Sequence, residues 1–521
     1  MRGKRLVGIV TAFALTVGLL AACGAPKETG TDEEVTIKYW CSLPATVRNI
    51  ASSFGETEVY KELQKRTGVT IDFIHPAAGS DNEQFNVMLA SGDLPDVIER
   101  DWSSYIGAEE KAAEDGILMD ITEYVNDYAP NMVKFIEKEV PDAKRWITTN
   151  DRYYIIPSLE ADKKYVTTIG MLIRQDLLDK YGLEMPKTIA DWENVLRTFK
   201  ENGVKYPLSL NKNHLKWYSV FECAYGVTET FLQRDGRITY GYIEPEMKDF
   251  VITMKRWFEE GLVDPDMLTM DEVAFNGKVL NGDAGAWVGS VDDIAVKEKG
   301  LKEVVPDANI VGAPYMSLNE GEDCKVVYLN RRDGYTYANA AGITTSNKHP
   351  KATIKMFDYL FTDEGAELMN YGVEGKSYEM VDGKPTFTEL ITNNSDGLST
   401  LEARGLWTRY NGPGRVELGY MDQVHAEPDQ KNAAQMWSDQ AVKYDHAAVW
   451  RACYKLTADE ADELTEVTSQ FTTFATENFS KFIMGLRPIE EWDAFVADLK
   501  AMGVDRAIEI YQTAYDRIMK D

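Results

Sequence analysis

The stretch Ala90–Trp102, ASGDLPDVIERDW, decides the fold. Before it, Phe85, Met88 and Leu89 form one face of a helix, and Gly92 stands where a helix closes in left-handed backbone. Asp93-Leu94-Pro95-Asp96 then turns the chain, Val97-Ile98 reads as a short buried strand, and Asp101-Trp102 waits at its exit. Upstream, Val35, Ile37 and Tyr39 alternate as in a strand. Val59 and Leu63 lie one helical turn apart before Gly68, and Val69, Ile71 and Phe73 alternate again. Strand, helix, strand, helix, strand predicts parallel crossovers and a sheet covered on both faces, an α/β chain. Downstream, Met247, Phe250, Val251, Met254, Trp257 and Phe258 recur at helical spacing, as do Ala507, Ile510, Tyr511, Ala514, Tyr515 and Ile518. These are core stripes. Asp235-Gly236 and Asp382-Gly383, each between short β-like runs, predict hairpin turns.

The first residues predict export. Arg2, Lys4 and Arg5 precede an apolar run from Leu6 to Ala22, which has the charge, length and small-residue end of a signal peptide. Its end, Leu20-Ala21-Ala22-Cys23, resembles the lipobox of bacterial lipoproteins, which implies cleavage before Cys23 and lipid on its sulfur. Residues 23–34 read as a disordered tether with almost nothing to bury. No later apolar run reaches the roughly 18 residues of a membrane span. Without residues 1–22 the chain carries 53 basic and 85 acidic residues, a balance of −32. Such acidity argues against nucleic acid or an anionic membrane surface as partner. Cys41, Cys223, Cys324 and Cys453 lie far apart with no CxxC, so three pairings, or none, stay open.

Motifs for catalysis are sparse. Gly375-Lys376-Ser377 resembles the end of a P-loop, but Asn370 stands where its first glycine belongs. Gly412 and Gly414 begin a dinucleotide fingerprint that Glu417 breaks. The five histidines are scattered, HExxH and GxSxG are absent, and Asp264-Pro265-Asp266 lacks a calcium loop's sixth-position glycine. The abundant carboxylates read as a solvated surface rather than as a glycosidase pair.

Several segments together carry a resemblance. They are SGDLPDVI at 91–98, LIRQDLLDKYGLEMPKTIADWENVL at 172–196, WFEEGLVDPDM at 257–267, and NGDAGAWVGS at 281–290. TTSNKHPKATIKMFDYLFTDEGAELMNYGVEGKSYE at 344–379 and FIMGLRPIEEWDAFV at 482–496 follow. In this order and spacing they resemble the bacterial extracellular solute-binding proteins of family 1, in particular the LplA-like sugar-binding lipoproteins of ABC importers. The resemblance implies a two-lobed, periplasmic-binding-protein-like fold with several chain crossovers, each lobe a mostly parallel sheet flanked by helices. Residues 35–165 with 338–400 are expected in the first lobe, and 166–337 with 401–521 in the second. It also implies a non-catalytic protein, expected to be a monomer, lipid-anchored on the extracellular face of the cell membrane. Such a protein would pass an oligosaccharide to permease subunits. The alternatives left open are a lipid-anchored surface enzyme acting on glycosides and a peptide-binding adhesin. Many relatives carry a calcium-loop-like insert where this chain reads TFKENGVKYPLSL at 198–210, so neither bound calcium nor any other cofactor is expected.

The strand exits then acquire a meaning. Ligands of open parallel sheets bind beyond the strands' carboxyl ends, where Asp101 and Trp102 follow Val97-Ile98 and Trp40 follows Val35–Tyr39. Indole suits the apolar face of a sugar ring, and carboxylate accepts from its hydroxyls. The resemblance adds Trp217, Tyr218 and Trp287 as aromatics expected at the cleft from the other lobe. Arg409 and Tyr410, beside Trp407, complete the candidates.

Overall fold

The computed structural model describes residues 35–105, 107–162, 165–211, 214, 220–325, 331–332, 335–409, 412–425, 427–441 and 456–520. The helix before the opening stretch spans Asp81–Ser91 and closes on Gly92 at φ 69°. Val97–Arg100 is a strand, paired in parallel with Val35–Trp40, which pairs in parallel with Val69–Ile74. These three belong to a seven-stranded sheet. In spatial order its main path runs 414–416, 155–160, 335–343, 97–100, 35–40, 69–74. A second sheet of four strands runs 310–313, 169–174, 284–290, 206–209.

Both sheets are mixed rather than mostly parallel. Tyr335–Ile343 is antiparallel to both strands beside it, and so is Ile169–Arg174 in the second sheet. The reason is connectivity. Each of these strands receives the chain from the other sheet, so it enters at the crevice edge and runs opposite to strands whose carboxyl ends lie there. Ile155–Glu160, Ile310–Ala313 and Gly414–Val416 lead out of that edge instead, and the chain crosses over after each of them. Tyr165 of the first crossover donates its hydroxyl to Asp422 Oδ1 of the third at 2.5 Å.

One expected boundary is corrected. Residues 401–416 stay with the first sheet, not the second lobe: Gly414–Val416 pairs in parallel with Ile155–Glu160, and the helix Thr400–Trp407 packs on Ala45–Arg48. At Gly405 a Cβ would meet Val47 at 3.0 Å, so glycine permits the close approach of the two helices. The helices Pro245–Glu259, Ala458–Ile483, Trp492–Ala501 and Val504–Lys520 pack together with the hairpin Phe231–Arg234/Arg237–Tyr240. That hairpin turns on Asp235 at φ 52° and Gly236 at φ 79°; Asp382 and Gly383 do the same at 51° and 75°. The two expected helical stripes are buried, Phe258 only in part.

The second lobe buries a carboxyl group in an unusual state. Glu222 is fully enclosed, and no side chain among the described residues hydrogen-bonds its carboxyl oxygens. Burial, reinforced by the charge of Glu229, raises its pKa well above the usual carboxylate range. The folded chain therefore holds this proton to a higher pH than the unfolded chain does. This contribution to stability is fully present below the unfolded pKa and is lost as pH rises through the folded one. Glu222→Gln, neutral at every pH, is expected to match the parent near pH 4. At pH 8 it should be the more stable, by about 1.4 kcal/mol for each pH unit by which the folded pKa exceeds the unfolded one. Denaturant midpoints of the two chains across that range check this.

Candidate functional site

The parallel register Tyr39↔Val97 and Trp40↔Ile98 brings the exits of two strands side by side at the crevice edge. Beneath them lies an aromatic floor. Trp40 and Trp102 are 5% and 1% exposed, and both rings lie about 6 Å from Phe85 (6.2 and 6.1 Å between centroids). Trp102 donates its indole N–H to the carbonyl of Ala340 at 3.1 Å. A Cβ on Gly342 would stand 2.7 Å from that indole, so glycine lets the ring lie against strand 335–343. Asp101 caps the turn after the strand, its Oδ1 accepting from the Ser103 backbone N–H at 3.0 Å and from its hydroxyl at 2.5 Å. Trp102 is thus a packed base below the strand exit, not an open platform, and Asp101 beside it is half-buried.

Above the floor stands Arg100, the last residue of the strand. Its guanidinium lies 3.6 Å from the centroid of Phe85 and donates from Nη2 to Ser104 Oγ at 2.7 Å and to Asn82 Oδ1 at 3.4 Å. Nη1 is buried and has no hydrogen-bond partner among the described residues. Burial draws the Arg100 pKa down, and the charges of Asp101, Tyr105 and Asp81 oppose that pull. Ser42, from the neighbouring strand exit, hydrogen-bonds Asp81 Oδ1. Ser42, Asn82 and Ser104 are exposed and Asp81 half-buried, so a guanidinium, an amide, hydroxyls and a carboxylate ring the aromatic floor. The start of the helix Ala458–Ile483 approaches the same edge. A Cβ on Gly107 would stand 3.0 Å from that of Ala461, and Asp462 acts electrostatically on Tyr105 and Lys111.

The other predicted residues are placed differently. Trp287 lies mid-strand in Ala284–Ser290, beside Leu172 and Ser209, with no exposed surface. Both faces of that strand are buried, so the indole packs in the core; its N–H has no acceptor among the described residues. Arg409 is also enclosed. It forms an ion pair with Glu99, whose second oxygen accepts from the Tyr39 hydroxyl at 2.7 Å. The pair ties the end of the helix Thr400–Trp407 to the first sheet. Trp217, Tyr218, Tyr410 and Cys23 lie outside the described residues.

At the carboxyl end of the second-lobe strand Tyr206–Ser209, Asn211 donates from Nδ2 to Glu272 Oε2 at 2.7 Å. His214 Nδ1 is 3.2 Å from the Asn211 backbone N–H, and burial with the charge of Lys297 lowers its pKa to about 3. It is therefore a neutral acceptor at ordinary pH. Arg100, Asn82, Ser42 and Ser104 escaped the sequence reading. The available signal was the strand exit itself, since Arg100 directly precedes Asp101. Two cavities lie apart from this rim, the first beyond strands that lead out of the same sheet edge. One of about 670 Å³ opens beyond the strands 155–160 and 414–416, lined among others by Phe135, Tyr371 and Arg415. The other, of about 690 Å³, lies between the 237–240 strand and the C-terminal helix. No predicted site residue lines either.

Residues 51–367 match the family model described as bacterial extracellular solute-binding protein. Lipoprotein LipO of Bacillus subtilis (strain 168) is 23% identical over 527 residues, covering 98% of this chain and 96% of that protein. The fructooligosaccharide ABC transporter substrate-binding protein FusA of Streptococcus pneumoniae serotype 4 is 23% identical over 555 residues, 99% of each. Among solved structures, the alginate-binding protein AlgQ2 without calcium ion superposes with a TM-score of 0.75 at 23% identity. That match covers 93% of this chain and 99% of that one. No helix among the described residues is long and apolar enough to cross a membrane.

Proposed function

Because the chain belongs to the bacterial extracellular solute-binding proteins, we propose that it captures an oligosaccharide between its lobes and delivers it to an ABC importer permease. The observation that carries this reading is the rim of Arg100, Asn82, Asp81, Ser42 and Ser104 over the Trp40–Phe85–Trp102 floor at the crevice edge. It pairs donors and acceptors for sugar hydroxyls with a rigid apolar base. The names of FusA, a fructooligosaccharide-binding protein, and AlgQ2, an alginate-binding protein, support the ligand class. The lobes are built on the two sheets, the first from about 35–160 and 331–416, the second from about 169–313 and 428–520. The chain is a monomer without catalytic activity, tethered outside the cell by lipid on Cys23. Closure of the lobes on the sugar gives the differential affinity that shifts the population toward the closed form.

A thermal-shift screen against oligosaccharides tests this reading. A matching glycan raises the melting temperature of the parent and is recovered intact; a cleaved glycan would favour the surface enzyme instead. Arg100→Ala should fold normally and bind the same glycan about ten- to a hundred-fold more weakly, given roughly 1.5–3 kcal/mol for hydrogen bonds to charged groups.

A further inference from the structure

We propose that Cys223 and Cys324 are joined by a disulfide once the chain has been exported. Although 101 positions apart, the two residues lie on facing backbone: the Lys325 N–H donates to the Cys223 carbonyl at 2.9 Å. The Cys223 thiol donates to the Val220 carbonyl at 2.8 Å, the Cys324 thiol is close enough to act on it electrostatically, and each residue is 1% exposed. Closure therefore asks for side-chain rotation on backbone segments already held together by the Lys325–Cys223 hydrogen bond, not for a new backbone path. Cys41 has other surroundings, with its sulfur 3.8 Å from His75 Nδ1 in the first lobe.

The chemistry is thiol–disulfide exchange with a small-molecule disulfide outside the cell. One cysteine thiolate attacks that reagent and expels a thiol. The second cysteine then attacks the mixed disulfide and expels the other. Two protein thiols are oxidised, the reagent is reduced to two thiols, and the two cysteine protons end on them. Burial raises the thiol pKa of Cys223, so the bond forms while the chain folds and only slowly afterwards. Its consequence is mechanical. The stretch after the strand Ile310–Ala313 is fixed to the second lobe as far as Cys324, and the second crossover begins only beyond it. This holds whichever ligand the cleft takes.

The test is to refold the full, unsubstituted chain in a glutathione redox buffer, alkylate it, and map the unreduced digest by mass spectrometry. The expected result is a peptide linking Cys223 to Cys324, lost on reduction, with a melting temperature above that of the reduced chain. Recovery of both residues as alkylated free thiols would overturn the proposal, as would pairing of either with Cys41 or Cys453.

Discussion

Replacing Arg409 with alanine should cost about 3–5 kcal/mol of folding stability, the cost of breaking a buried ion pair from one side. The side chains of Arg409 and Glu99 are 6% and 1% exposed, so the carboxylate left behind has no water to turn to. Burial already places the Glu99 pKa above its ordinary value, against the opposing pull of Arg409 and Tyr39. Without the guanidinium, the Tyr39 hydroxyl is the one hydrogen-bond partner left to it among the described residues. Packing is lost as well, since the Arg409 guanidinium lies 4.7 Å from the Phe54 ring centroid. Removing both charges together, as Glu99→Gln with Arg409→Met, should cost much less than the single change. Urea midpoints of the three chains provide the comparison. Equal losses for the single and double variants would mean that packing, not the ion pair, holds this segment.

Trp287→Ala is expected to cost a similar amount, about 3–5 kcal/mol, through the cavity it leaves in the second lobe. The indole is wholly enclosed between strands and its N–H has no acceptor among the described residues. Trp287→Phe should therefore cost clearly less, because it keeps much of the packing and strands no polar partner. A residue that clamped ligand would behave in the opposite way, losing affinity with little loss of stability. Unfolding curves and glycan titrations of the two variants separate these roles. A stable Trp287→Ala chain that no longer binds would return the residue to the cleft.

The contrast between Trp102 and Trp287 shows what the sequence makes legible. The β-α-β-α-β run from Val35, the helix stop at Gly92 and both Asp-Gly hairpins follow from local periodicity and turn chemistry, and they form as expected. The strand exit at Asp101-Trp102 was also readable, because parallel connectivity fixes which end of a strand meets the crevice. Side-chain depth was not. Trp102 and Trp287 are alike in sequence as indoles near strands, but their burial depends on strands 335–343 and 169–174, which arrive from distant parts of the chain. The same holds for Arg409. Its partner Glu99 lies 310 residues away, and nothing local distinguishes a guanidinium that pairs in the core from one that meets a ligand. The reversed strands escaped for a related reason: direction within a sheet follows from where the chain enters, and periodicity carries no sign of it.

Isothermal calorimetry of the parent chain and Arg100→Ala, against the glycan giving the largest thermal shift, tests the central claim most directly. The expected result is saturable one-site binding to the parent with the glycan recovered uncleaved, and affinity about ten- to a hundred-fold lower in the folded variant. Equal affinity in the two chains would move the site away from the exits of strands 35–40 and 97–100. A folded parent that binds no oligosaccharide at all would contradict the account.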